Sequence, residues 1–140
     1  MSTLSRNKEH HLIMTVIYDE LNDFRNGDGQ GFRDARELLC LVSGLPYDEI
    51  SDFVKNTVII SLQKYGVIVE AYTPYLINWK WDRLPLLTQA ILIQSYTHFH
   101  YVENVDVRVV INNAVELAKK YIDEKQGRFI NAILQKVLKK

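Results

Sequence analysis

No run of apolar residues in this chain approaches the roughly 20 needed to span a bilayer. The opening stretch from Met1 to His11 is polar and lacks the apolar middle section of a secretion signal. The expected compartment is therefore the cytoplasm. Cysteine is nearly absent. Cys40 alone cannot form an internal disulfide, in keeping with a reducing compartment, and its place in the apolar run Leu38 to Val42 marks a buried structural thiol, not a nucleophile. Net charge is missing too, because 17 basic and 17 acidic residues cancel. The turns that announce common enzymes are not found: there is no GxSxG, no GxxxxGK[ST], and no GxGxxG after a strand. Acid pairs such as Asp19-Glu20 and Asp123-Glu124 read as helix-end and surface charge. Nothing here calls for an enzyme, a cofactor or a metal. That leaves binding.

What is present is helical pattern. With 47% apolar and 24% charged residues over 140 positions, the chain has the make-up of one globular domain, able to bury roughly 70% of its unfolded surface. Ile50, Phe53, Val54, Thr57, Val58, Leu62 and Tyr65 recur at 3–4 spacing and mark one face of a long helix, with Pro46 just before it and Gly66 ending or kinking it. An earlier helix is expected over about Leu4 to Phe24, with Ile13, Val16, Ile17 and Leu21 facing inward. The glycine-rich breaker 26–31 follows, then a shorter helix from Phe32 to about Val42, closed by Ser43-Gly44-Leu45-Pro46. After Gly66 a helix near Val67 to Ile77 carries Pro74 late in its length. The next is expected to begin near Asp82, with Pro85 in its first turn. Leu84, Leu86, Leu87 and the run Ala90 to Ile93 surround its axis, so it should be the buried central helix. Two more are expected near Asp106 to Tyr121 and Glu124 to Leu138, with Asp123 and Gln126 at capping-box spacing. The β-branched run Val105 to Ile111 imitates a strand, but Ile111, Ala114, Val115, Ala118 and Tyr121 continue at helical spacing. Seven helices with short connections imply an all-α bundle or paired bundles, and no linker is long enough to require two independent domains.

Two chemical motifs can be weighed. Asn26, Asp28, Gln30, Gly31 and Glu37 occupy positions one, three, five, six and twelve of a calcium loop. Two of the first three ligands are neutral amides, however, Arg33 takes the position that is normally apolar, and no second loop pairs with it. A flexible helix–helix connector is the better account. Four histidines, His10-His11 and His98/His100, lack the i, i+4 spacing that helical metal sites favour, so surface or partly buried imidazole is the default.

Charge is unevenly spread. From Lys119 onward, Lys119, Lys120, Lys125, Arg128, Lys136, Lys139 and Lys140 face only Asp123 and Glu124, a local +5 balanced by −5 over the rest. Such separation can create an anion-attracting surface on a neutral protein, although a solvated helical face with a lysine tail is the plainer reading.

The run INNAVELAKKYIDEKQGRFINAIL (111–134) resembles the most characteristic stretch of the NusB family: an INEAVELAK helix, a short acidic corner and a FVNGVL helix. PYLINWKWDRL (74–84) and AIL (90–92) are similar to the family's PYL–W–RL segment and AIL helix, and the spacing from Ala90 to Ile111 fits without a gap. Arg6, Lys8 and Tyr18 fall where the family has its arginine-rich start and a first-helix tyrosine. The resemblance is specific from Pro74 onward and weak between Asn22 and Pro46, and the length suits the free-standing family member.

The resemblance implies two packed helical bundles, an N-terminal one over about 1–65 and a C-terminal one over about 67–140, with no cofactor. It implies binding of boxA-type RNA jointly with NusE, a small-subunit ribosomal protein, inside the RNA polymerase antitermination complex during ribosomal RNA transcription, by a monomer or weak homodimer. A helical protein–protein adaptor with weak or no RNA binding is the alternative. Candidate RNA contacts are Arg6, Lys8 and His11, with Asn7 and His10 as lesser ones, and Lys119, Lys120, Lys125 and Arg128 at the corner of the last two helices. Candidate partner contacts are Tyr18, Thr88 and Phe129. Periodicity alone puts Phe129 on an inward stripe with Ala132, Ile133 and Val137, whereas the family places an aromatic there at the partner and RNA edge. Asn131 reads as a helix-packing or backbone-bonding residue. The chain departs from the family pattern at its arginine-poor start with Glu9, at Thr88 where some members carry an acid, and at Lys125. These departures suggest that phosphate contact has shifted from the first helix to the Lys119–Arg128 corner.

Overall fold

The computed structural model describes residues 4–27 and 31–139. Among these residues there are seven α-helices and no strand: α1 Arg6–Asn26, α2 Ala35–Ser43, α3 Asp52–Gln63, α4 Tyr65–Tyr72, α5 Leu86–Thr97, α6 Val107–Tyr121 and α7 Glu124–Val137. Local chemistry explains most of the starts. The side chains of Ser5, Asp34, Ser51, Asp106 and Asp123 each accept a backbone N–H from the first turn of α1, α2, α3, α6 and α7, respectively. Each such cap is worth about 1 kcal/mol. Gly44 ends α2 in the left-handed conformation (φ 72°), which a residue with a side chain adopts only under strain.

Several boundaries differ from expectation. The helical pattern through Ile50 to Tyr65 breaks at Lys64, two residues before the glycine that was expected to end it, and Gly66 lies inside the first turn of α4. The helix expected to reach Ile77 stops at Tyr72, where Thr73–Tyr75 tightens into a 3-10 turn around Pro74. Asp82 caps nothing. It lies in a 3-10 turn (Trp81–Arg83), and Pro85 occupies the N-cap position of α5 with no side-chain cap bond. The π turn His98–Val102 at the end of α5 had no counterpart in the sequence reading. Asp28 and Gln30 of the calcium-loop motif lie outside the described residues, as does Lys140. Among the described residues no His, Cys, Asp and Glu group is arranged to hold a metal ion, and no helix is long and apolar enough to cross a membrane.

The expectation for the central helix is met. Every residue of α5 from Thr88 to Ser95 is buried, and α1, α3, α4, α6 and α7 all pack against it. Burying so much of a helix requires its polar groups to find partners inside. The Gln89 amide donates to the carbonyls of Trp81 (3.1 Å) and Leu84 (3.0 Å), and the Gln94 amide to that of His10 (3.1 Å). The Tyr72 hydroxyl donates to the Leu92 carbonyl at 2.6 Å, which ties α4 to the same axis.

The last two helices form a hairpin joined by only Ile122 and Asp123. They lie close because Gly127 has no side chain. A Cβ there would sit 3.2 Å from Cγ of Lys119 and 3.8 Å from Cγ1 of Val115. The aliphatic stem of Lys119 therefore lies across the first turn of α7, with its ammonium left to solvent.

Candidate nucleic-acid interface

The corner of the hairpin is where charge stays unspent. Lys119, Lys120, Lys125 and Arg128 are all exposed. Among the described residues none of them is in an ion pair. Helical spacing sets Lys125 and Arg128 on one face of α7, while Ile130, Ile133 and Leu134 are buried in the core. Cations left without counter-charges in solvent are the residues a phosphate chain can neutralise.

The start of α1 is different. Arg6 donates to Glu103 at 2.6 Å, lies 3.3 Å from Glu9, and has its guanidinium carbon 3.8 Å from the centre of the Phe53 ring. Glu9, itself buried, accepts from the Ser51 hydroxyl. Behind this shell His10 and His98 are buried with ring centres 5.6 Å apart, and the ring of Phe53 meets both edge-on. Burial, reinforced by the neighbouring His98 and Arg6 charges, pulls His10 down to about 4, and burial likewise lowers His98. Both imidazoles are therefore neutral near pH 7. Burial pushes the Glu103 carboxyl up, but the hydrogen bond and charge of Arg6 outweigh it and hold the group below its ordinary value. Arg6 is committed to this network, although Nε2 of His98, 3.4 Å from Glu103, is buried without a hydrogen-bond partner. Lys8, by contrast, is exposed and, among the described residues, in no ion pair.

His11 belongs with the corner. Its ring stacks on Tyr121 at 4.7 Å between centres and 21° between planes, which joins the outer face of α1 to the end of α6. Lys120 holds its ammonium 5.4 Å from the Tyr121 ring centre. A cleft of about 270 Å³ opens along this seam, lined by Asn7, His11, Asn113, Glu116, Lys120 and Tyr121 together with His10 and Leu117. The structure thus brings His11 to Lys120, and Lys119 to the first turn of α7, while it pairs Arg6, still exposed, with Glu9 and Glu103.

The cleft residues Asn113, Glu116 and Tyr121 were missed by sequence reasoning, which used Tyr121 only as a mark of helical spacing in α6. No linear signal pairs them with Asn7 and His11 across about a hundred residues. Of the partner candidates, Tyr18 and Phe129 are half-buried against the core. Thr88 requires a correction. It is fully buried, and its hydroxyl donates to Oε1 of Gln126 at 2.7 Å. It ties α5 to α7 and presents nothing to a partner. Gln126 gives only its backbone N–H to the Asp123 cap, because its side chain is taken by Thr88. Asn131 is exposed, and its side-chain oxygen accepts from Gln135 at 3.4 Å, so it packs no helices together.

Comparison with known proteins points one way. The model of the NusB family matches residues 12–139. The transcription antitermination protein NusB of Fervidobacterium nodosum is 42% identical over 65 residues, which is 46% of this chain and 46% of that protein's length. The Bacillus thuringiensis protein of the same name is 32% identical over 90 residues, 64% of this chain and 69% of its own length. A T. maritima NusB structure superimposes with a TM-score of 0.77 at 19% identity, covering 99% of this chain and 92% of that one. A chain from a structure described as a plectonemic RNA supercoil gives 0.75 at 22% identity, over 95% and 94%. At these identities the two structures speak for the fold alone.

Proposed function

The chain belongs to the NusB family, and from that premise we propose that it is a non-catalytic, cytoplasmic antitermination factor that binds boxA-type RNA together with NusE while ribosomal RNA is transcribed. The observation that carries this reading is the pairing of the exposed, unpaired cations Lys119, Lys120, Lys125 and Arg128 with the His11–Tyr121 stack at the same end of α6. Cations supply phosphate contact and stacked rings supply a surface for bases. Lys8 adds a further cation from α1. Tyr18 and Phe129 are the residues we assign to the partner face. We keep the division into subdomains of about 1–65 and 67–140, and the monomer or weak homodimer, as parts of the same proposal.

The test is binding of a boxA-like RNA, with and without NusE, at two salt concentrations. Capture through several phosphates predicts that log K falls with log salt at about 0.7 per neutralised phosphate. Arg6 supports the second reading, a protein–protein adaptor with weak or no RNA affinity, since the cation at the start of α1 is already paired with Glu103. That reading predicts tight NusE binding with little salt response and no RNA dependence.

A further inference from the structure

The α1–α6 cleft has a feature that phosphate binding does not explain. Glu116 lines it, exposed and, among the described residues, in no ion pair. Lys120 stands four residues further along the same helix, the spacing at which a Glu–Lys pair forms readily. Yet its ammonium lies over the Tyr121 ring instead. A bare carboxylate repels a phosphate chain. It attracts only the parts of RNA that donate hydrogen bonds, a ribose 2′-hydroxyl or a base edge, and only a base edge offers two donors side by side for the two carboxylate oxygens.

We infer that this cleft holds one unpaired guanine of the bound RNA, with Glu116 reading its Watson–Crick edge. Guanine alone among the four bases presents two adjacent, in-plane donors, N1–H and the N2 amino group, which match the two oxygens of a carboxylate. Adenine and cytosine offer one amino group beside a bare ring nitrogen, and uracil offers one N–H between two carbonyls that would face the carboxylate. Asn7, exposed on the opposite wall, has an amide that can donate to guanine O6. Asn113 is steadied by its contact with Nε2 of His10 at 3.2 Å. The His11–Tyr121 stack gives the base a flat wall, and Lys120 stands beside it for the nucleotide's phosphate. A cleft of about 270 Å³ has room for a purine.

This inference rests on the RNA-binding reading, and one experiment separates their failures. The full chain is titrated by fluorescence anisotropy, in low salt, with a 12-nucleotide oligouridylate and with oligomers carrying one central guanosine, inosine, adenosine or cytidine. The guanosine oligomer should bind about fivefold or more tightly than the others, a bidentate contact's worth of discrimination. Inosine, which lacks the N2 amino group, should lose most of the gain. Glu116→Gln should erase the preference while holding oligouridylate at least as tightly as the unaltered chain. A wild-type protein that binds all oligomers alike, or a Glu116→Gln variant that keeps the preference, overturns the guanine assignment and leaves RNA binding standing. A wild-type protein that binds none of them, with NusE absent or present, overturns both.

Discussion

The start of α1 and the corner between α6 and α7 both carry conspicuous positive charge, and the fold treats them in opposite ways. At the start of α1, Arg6 is bound up with Glu103, Glu9 and Phe53 around two buried histidines. At the corner, four cations stand in solvent with no ion pair among the described residues. Charge that is paired within a protein contributes to its stability, and charge left unpaired is available to a ligand. The first region should therefore respond in stability measurements and the second in binding measurements.

Acid gives the largest separation. The folded His10 titrates at about 4 against an ordinary 6.5, so between those values the unfolded chain binds the extra proton. This contribution is complete above pH 6.5 and is lost as pH falls towards 4, by up to about 3 kcal/mol. Glu20 acts in the opposite sense. Burial raises it to about 7 even though its carboxylate accepts the Arg33 backbone N–H at 2.7 Å. The folded chain therefore holds that proton longer, and the contribution fades as pH rises from 4.5 to 7. Denaturant unfolding at pH 5 and pH 7 should show His10→Gln losing the acid sensitivity and Glu20→Gln exaggerating it. Parallel pH profiles for the two variants would contradict this assignment.

Next in size is the contrast in binding. Lys120→Ala/Lys125→Ala should weaken boxA-like RNA binding about tenfold or more near 0.1 M salt and flatten the salt slope by about 1.4, with an unchanged melting temperature. Arg6→Ala/Lys8→Ala should cost only about threefold in affinity but lower the melting temperature. A larger affinity loss in the Arg6 pair would refute the shift of phosphate contact to the corner. A third variant probes the contact that anchors the corner to α5. Thr88→Val leaves Gln126 without its donor and should cost about 1 kcal/mol of stability with RNA affinity unchanged. The smallest effect should come from Glu103→Gln, which releases Arg6 from its strongest partner. It should raise RNA affinity about twofold at low salt, and no gain at any salt would mean that Arg6 stays out of reach of phosphate.

What could be read in the sequence follows from how local each feature is. Helical periodicity and side-chain caps act within a few residues, so the all-α architecture, the buried run of α5 and the α6–α7 hairpin could all be foreseen. The exposed corner lysines were legible for the same reason, since they cluster along 119–128. The fate of Arg6 was not, because its partner Glu103 lies 97 positions away. Thr88 looked like surface until the fold set Gln126 against it, 38 positions on. The cleft, whose walls come from 7–11 and 113–121, had no signature in either segment alone.

Those two walls have a consequence for how the protein is made. A chain released or stalled before residue 113 carries Asn7 and His11 but nothing for them to face. Closing so long a loop is slow compared with forming either helix. The seam is therefore complete only in a full-length copy whose α6 has docked against α1.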